Sequence, residues 1–189
     1  RWGTGSLSWI SATDDAFHPT ISSGLGVLWF ESASTNSSIV RLPLDETLSS
    51  SAITVTDGEQ PVVSGDGKWL LFVRETQGRG SLRLRQAAAG SRNAAIQEPE
   101  RRLSPGSLNV LEATFGPDDR IMFSAQTGDN LPELFVTSTH ANKDTQPERY
   151  LSGPARYPVI SPDGRWLGFS KRRGSAWNLW LLRTDKGES

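Results

Sequence analysis

Apolar residues in this chain come in short alternating runs, and the runs come in sets. Four segments line up: "HPTISSGLGVLWFES" (18–32), "QPVVSGDGKWLLFVR" (60–74), "EATFGPDDRIMFSA" (112–125) and "YPVISPDGRWLGFSK" (157–171). Each holds an apolar piece, a tight turn rich in Gly, Asp and Pro, a second apolar piece and a phenylalanine. The phenylalanines Phe30, Phe72, Phe123 and Phe169 stand 42, 51 and 46 residues apart, close to the ~40–50 residues of a propeller blade. A third apolar piece follows each: "SIVRLPL" (38–44), "SLRLRQ" (81–86), "ELFVTS" (133–138) and "WNLWLLR" (177–183). A shorter, more polar fourth piece precedes the next set: "AITVT" (52–56), "ERRLS" (100–104) and "ERYLS" (148–152). Alternation and β-branched or aromatic content predict strands throughout. No stretch sustains a helical period, and Gly90 and Pro99 bracket the alanines of 85–100 as a loop.

The unit is therefore strand A, tight turn, strand B, loop, strand C, loop, polar strand D. Gly67 and Gly164 fall where the A–B reversal needs a positive φ. Asp66, Asp118 and Asp163 are placed to bond the turn backbone. Pro19, Pro61 and Pro158 open their A strands, where no ladder donor is lost. The last set stops after strand C, and an orphan strand "GSLSWISA" (5–12) stands before the first. The pattern thus predicts an all-β fold: a β-propeller of four four-stranded antiparallel blades, its N-terminal strand completing the last blade. The alternative is a fragment of a larger propeller. As one domain over 1–189, the blades are expected at 18–56, 60–104, 112–152 and 157–185 plus 5–12. Closure hides sheet edges that would otherwise capture other chains.

These segments resemble the TolB-type propeller repeat, a WD40-like unit with the signature Pro-x-x-Ser-Pro-Asp-Gly-x-x-(apolar)-x-Phe. "YPVISPDGRWLGFS" matches it almost completely, and "QPVVSGDGKWLLFV" departs only at Gly65. "HPTISSGLGVLWFE" lacks the acidic turn residue, and "EATFGPDDRIMFS" lacks the leading proline and the turn glycine. The resemblance covers about residues 5–185. It implies a propeller, often extracytoplasmic, that holds partner proteins on one face; the family also occurs beside hydrolases. A periplasmic or other extracytoplasmic location is the expectation. Fold alone does not fix function.

Composition narrows the chemistry. A formal charge of −1 gives no reason to expect nucleic acid, and no apolar run reaches the ~20 residues of a membrane helix. A membrane anchor in a preceding segment is left open. The absence of cysteine removes thiol catalysis and cysteine-ligated metal. His18 and His140 have no partners at metal-ligand spacing, "GxSxG" is absent, and the Asp14–Asp15 pair reads as a solvated turn. Neither metal nor cofactor is expected, and no enzyme activity. Trp29, Trp69 and Trp166 are expected to pack between blades. The A-strand pieces "PTIS", "PVVS", "ATF" and "PVIS" carry no inward charge, which counts against a ligand site in the central channel.

Variety resides in the B–C and D–A loops, which share one end of the disc. Asp14, Asp15, Phe17 and His18 belong to one blade there. Arg156, Tyr157, Arg172, Arg173 and Trp177 belong to the blade expected beside it. Together with Trp2 of the tail, these residues are expected to bind a protein partner. The expected function is thus a non-catalytic interaction module or accessory subunit of a larger complex. The alternative is a small-ligand or glycan-binding, hydrolytic propeller with a channel-mouth site.

Overall fold

The structure is a computed structural model, and it describes residues 15–22, 26–33, 37–43, 53–87 and 99–184. Fifteen strands and no helix are found among the described residues. The first sheet comprises β1 (Asp15–Ser22), β2 (Val27–Ala33), β3 (Ser37–Pro43) and β4 (Ile53–Asp57). The second holds β5 (Glu59–Val63), β6 (Trp69–Thr76), β7 (Arg79–Gln86) and β8 (Arg101–Arg102). The third holds β9 (Leu108–Phe115), β10 (Arg120–Thr127), β11 (Glu133–Ser138) and β12 (Glu148–Arg149). The fourth is described with three strands, β13 (Ala155–Ile160), β14 (Trp166–Arg173) and β15 (Ala176–Arg183). Every pairing is antiparallel between chain neighbours, so each sheet is a propeller blade. The strand expected at 5–12 lies outside the described residues, as do Trp2 and Asp14.

Alternation gives every blade two apolar faces, one toward the blade before it and one toward the blade after. The repeated phenylalanine always lies on the first of these. Phe72 packs with Trp29 and Ile39 of the first blade. Phe123 packs with Leu71, Leu82 and Leu84 of the second. Phe169 packs with Met122 and Leu134 of the third. These side chains are all deeply buried, and each contributes about 1.5–3 kcal/mol by leaving water. Innermost strands β5, β9 and β13 lie against their predecessors, so the blades fan around one axis. The fourth blade has no comparable packing on the first among the described residues.

Backbones approach closely where side chains are absent. A Cβ on Gly80 of β7 would stand 2.0 Å from the Val110 carbonyl oxygen of β9. The Gly80 N–H instead donates to Asn109 Oδ1 at 2.7 Å, tying blade two to blade three. The outer strands β8 and β12 are two residues long and charged, which blunts those edges against pairing with other chains.

Two features differ from the sequence expectation. The A strands begin earlier than their prolines, because His18, Gln60 and Tyr157 adopt φ of 49°, 51° and 56° and bulge the strand just before Pro19, Pro61 and Pro158. The ladder resumes beyond each bulge, and this brings Glu59 and Arg156 onto innermost strands. The third blade bulges at Leu111 instead, leaving Glu112 in the ladder opposite Ser124. The A strands therefore do carry charges, contrary to the reading of their apolar pieces. Secondly, Trp29 is buried and Trp69 packs at the second blade's core, whereas Trp166 is exposed with the Arg183 guanidinium over its ring. It occupies the position of Trp69, but no blade among the described residues covers it.

Candidate functional site

The B–C turns and the starts of the A strands lie at one end of each blade. In the fourth blade, Ala155 opposes Lys171 and Arg173 opposes Ala176 beside the turn at Gly174. In the first, Asp15 opposes Ala33. Asp15, Phe17 and His18 thus stand at the same end of their blade as Arg156, Tyr157, Arg172, Arg173 and Trp177 of theirs. The two groups are not packed together among the described residues, because they sit on the first and last blades of the fan.

Within the fourth blade the sequence-identified residues do converge. The Arg156 guanidinium lies 4.0 Å from the Tyr157 ring centroid and 5.9 Å from that of Trp177. It donates to Glu112 Oε1 of the third blade at 2.8 Å. Glu112 is buried and also accepts a hydrogen bond from the Ser124 hydroxyl. The bulge at Tyr157 turns the ring outward, where it is exposed together with Trp177. Arg172 donates from Nε to the Gly174 carbonyl at 3.0 Å, which braces the B–C turn. Exposed rings beside guanidinium groups are common material of protein interfaces.

A second polar cluster lies between the first and second blades. His18 Nδ1 is 2.9 Å from Glu31 Oε2, and the Gln60 backbone N–H donates to the same oxygen at 3.2 Å. Burial, then the neighbouring charges of Glu31 and Glu75, push the Glu59 carboxyl above its ordinary value, against the lowering effects of the Ser37 hydroxyl and His18. A carboxyl raised by folding holds its proton more tightly in the folded state. Its stabilising share is therefore full below the ordinary glutamate range and is lost as pH rises through the folded value. Glu59→Gln is accordingly expected to raise the urea midpoint at pH 7, with the gain shrinking as pH falls toward 4. Equal gains at both pH values would refute the assignment.

The opposite end carries the tight A–B turns. There Ser64 donates to Asp66 at 2.6 Å and Ser161 to Asp163 at 2.6 Å, and both hydroxyls accept from the backbone N–H of the tryptophan five residues on. The Ser64 hydrogen bond, with the Lys68 backbone N–H, lowers Asp66 to about 2. A cavity of about 370 Å³ opens at this end, lined by Val62, Thr114, Phe115, Ile160 and Asp163 among others. Its one carboxylate, Asp163, is already committed to Ser161 and the Arg165 N–H, so the cavity offers no converging acid pair. His140 approaches Asp119 at 3.7 Å, both exposed at the same end. Among the described residues no group of three or more His, Asp or Glu side chains is placed to hold a metal, and no helix is long and apolar enough to cross a membrane.

Sequence reading missed Glu31, Glu59 and Glu112 at the loop end. A signal for Glu112 existed: it heads "EATF" at the position where the other repeats carry His, Gln and Tyr.

Among solved structures, TolB from Acinetobacter baumannii superimposes with a TM-score of 0.72 at 17% identity, over 94% of this chain and 43% of that one. A putative TolB from Agrobacterium tumefaciens gives 0.69 at 18% identity, over 92% and 60%. A prolyl endopeptidase gives 0.60 at 13% identity, over 93% of this chain and 29% of that chain. The chain therefore has the TolB-type β-propeller fold, and it spans less than two thirds of either TolB chain. No family model matches the sequence, and no curated protein matches it by sequence.

Proposed function

We propose that this chain is a non-catalytic protein-interaction module, an accessory or scaffold part of a larger extracytoplasmic complex, and that it binds through the loop end of its blades. The observation that carries this reading is the division of labour at that end. The carboxylates Glu31 and Glu112 are spent on holding blades together. Tyr157 and Trp177 are exposed beside the Arg156 guanidinium, and Phe17 is exposed beside the His18 ring. A catalytic carboxylate needs freedom to exchange a proton with substrate, and these are engaged as structural acceptors. The TolB-type fold favours the same reading, and with it the extracytoplasmic location.

The test is affinity capture from an extract of the producing cells, comparing the wild type with Arg172→Glu/Arg173→Glu and with Arg165→Glu at the opposite end. The double reversal is expected to lower capture of the specific partner at least tenfold, while Arg165→Glu leaves it unchanged. Undiminished capture by the double variant would remove the loop end from consideration.

A further inference from the structure

The loop end of the fourth blade differs in charge from the same end of the other three. Exposed acids stand there on the first three: Asp15 opposite Ala33, Glu75 beside the turn at Gly78, and Asp129 between β10 and β11. The fourth blade carries "KRRGSA" (171–176) at its turn, with cations and no acid. Arg74, Arg83, Arg149 and Arg156 each reach a carboxylate at 2.8–3.2 Å. Lys171, Arg172 and Arg173 reach none among the described residues, and Arg172 donates to the Gly174 carbonyl instead. Because Glu112 neutralises Arg156, the surplus positive charge of this end lies at the hairpin tip.

Register decides what that charge can hold. Arg172 and Arg173 are consecutive in a strand and leave opposite faces of the hairpin, so one carboxylate does not serve both. Arg172 opposes Trp177, and Arg173 opposes Ala176. The Arg172 side of the tip therefore carries an indole that is 39% exposed. The Tyr157 ring, 52% exposed, is linked to it through the Arg156 guanidinium. The Arg173 side carries no ring at that level, and Lys171 stands two residues along on the same side.

We propose that this tip takes an extended acidic segment of a partner protein. One carboxylate pairs with Arg172, a second pairs with Arg173 and Lys171, and an apolar side chain beside the first rests on Trp177. The inference rests on the loop-end reading above and names the chemistry of its partner. Charge complementarity selects the occupant. Guanidinium forks match carboxylates in plane and spacing, and arginine clusters are a recurring means of holding acidic motifs. A flat anionic lipid surface bears the same charge, but it would press on Asp15, Glu75 and Asp129 as well. A narrow segment meets the fourth blade alone.

The test uses two fluorescein-labelled dodecapeptides, one of repeated Asp-Glu-Tyr and one of repeated Asn-Gln-Tyr, read by fluorescence anisotropy. The acidic peptide is expected to bind the wild type at least tenfold tighter than its amide counterpart, and to weaken as salt rises. Arg172→Glu/Arg173→Glu is expected to lower that affinity at least tenfold, and Arg165→Glu at the opposite end to change it less than twofold. Trp177→Ala is expected to weaken the acidic peptide at least threefold with its salt dependence unchanged. Equal affinity for the two peptides, undiminished binding by the double variant, or unchanged binding by Trp177→Ala overturns the proposal. So does retention on phosphatidylglycerol vesicles that the double variant loses, which would make lipid the occupant. Failure of the acidic peptide, while Arg172→Glu/Arg173→Glu still lowers capture of the cellular partner, overturns the acidic class alone and leaves the loop-end reading intact.

Discussion

Gly80→Ala is expected to lower the thermal midpoint by roughly 6–12 °C. The added Cβ would meet the Val110 carbonyl oxygen at 2.0 Å and a Val73 methyl at 2.9 Å. Neither neighbour can yield: one is backbone in the adjoining blade, the other a buried side chain. The blades must separate locally, stretching the Gly80–Asn109 hydrogen bond with them. Overpacking of this kind costs about 3 kcal/mol or more at its upper end, and for a chain of this size each kcal/mol moves the midpoint by roughly 2–4 °C. Scanning calorimetry decides it, and a midpoint within 2 °C of wild type would mean that the two blades do not approach as described. Gly78→Ala is the control for glycine as such: its Cβ meets nothing within 4 Å, and only the positive φ of 74° resists it.

Phe123→Ala is expected to cost about 3–5 kcal/mol, the range for deleting a buried phenylalanine, and to split the unfolding transition. Phe123 is fully buried at the junction of the second and third blades and stacks on Phe135 with centroids 5.6 Å apart. Among the described residues the blades contact only their neighbours, so the stability of the fan is close to a sum of blade terms and junction terms. Emptying the middle junction uncouples blades one and two from blades three and four. Urea titration followed by tryptophan fluorescence should show two steps in place of one. The probes are well distributed for this, with Trp29 and Trp69 on one side and Trp166, Trp177 and Trp180 on the other. A single transition shifted in midpoint, with its slope preserved, would show that cooperativity runs through the whole array rather than from junction to junction.

The repeat was legible in the sequence because the signals that mark it are local. Phe30, Phe72, Phe123 and Phe169 recur at one depth in the blade, and the Asp-Gly turns before Phe72 and Phe169 are read from four residues at a time. Strand order followed, since each meander pairs only chain neighbours. What escaped the sequence depends on residues far apart. Glu112 and Arg156 meet across 44 residues of chain, and nothing in the run "EATF" states that a guanidinium from the next blade awaits its carboxylate. The left-handed residues before Pro19, Pro61 and Pro158 were equally hidden. Proline restricts the residue that precedes it, and a bulge there is chosen by the fit of neighbouring inner strands rather than by the dipeptide. Trp166 is the sharpest case. It shares its repeat position with Trp69, and one indole is packed while the other meets water, because burial belongs to the neighbour and not to the residue.

The Ser-x-Asp turns at 64–66 and 161–163 form matching networks, with the serine, the aspartate and the tryptophan backbone linked within six residues. A motif whose side-chain bonds are all local asks little of the blade it sits on. Such a module can be copied, moved or exchanged between repeats without renegotiating the surroundings. One rim of the disc is therefore free to remain generic, while selection writes the molecule's individuality on the other.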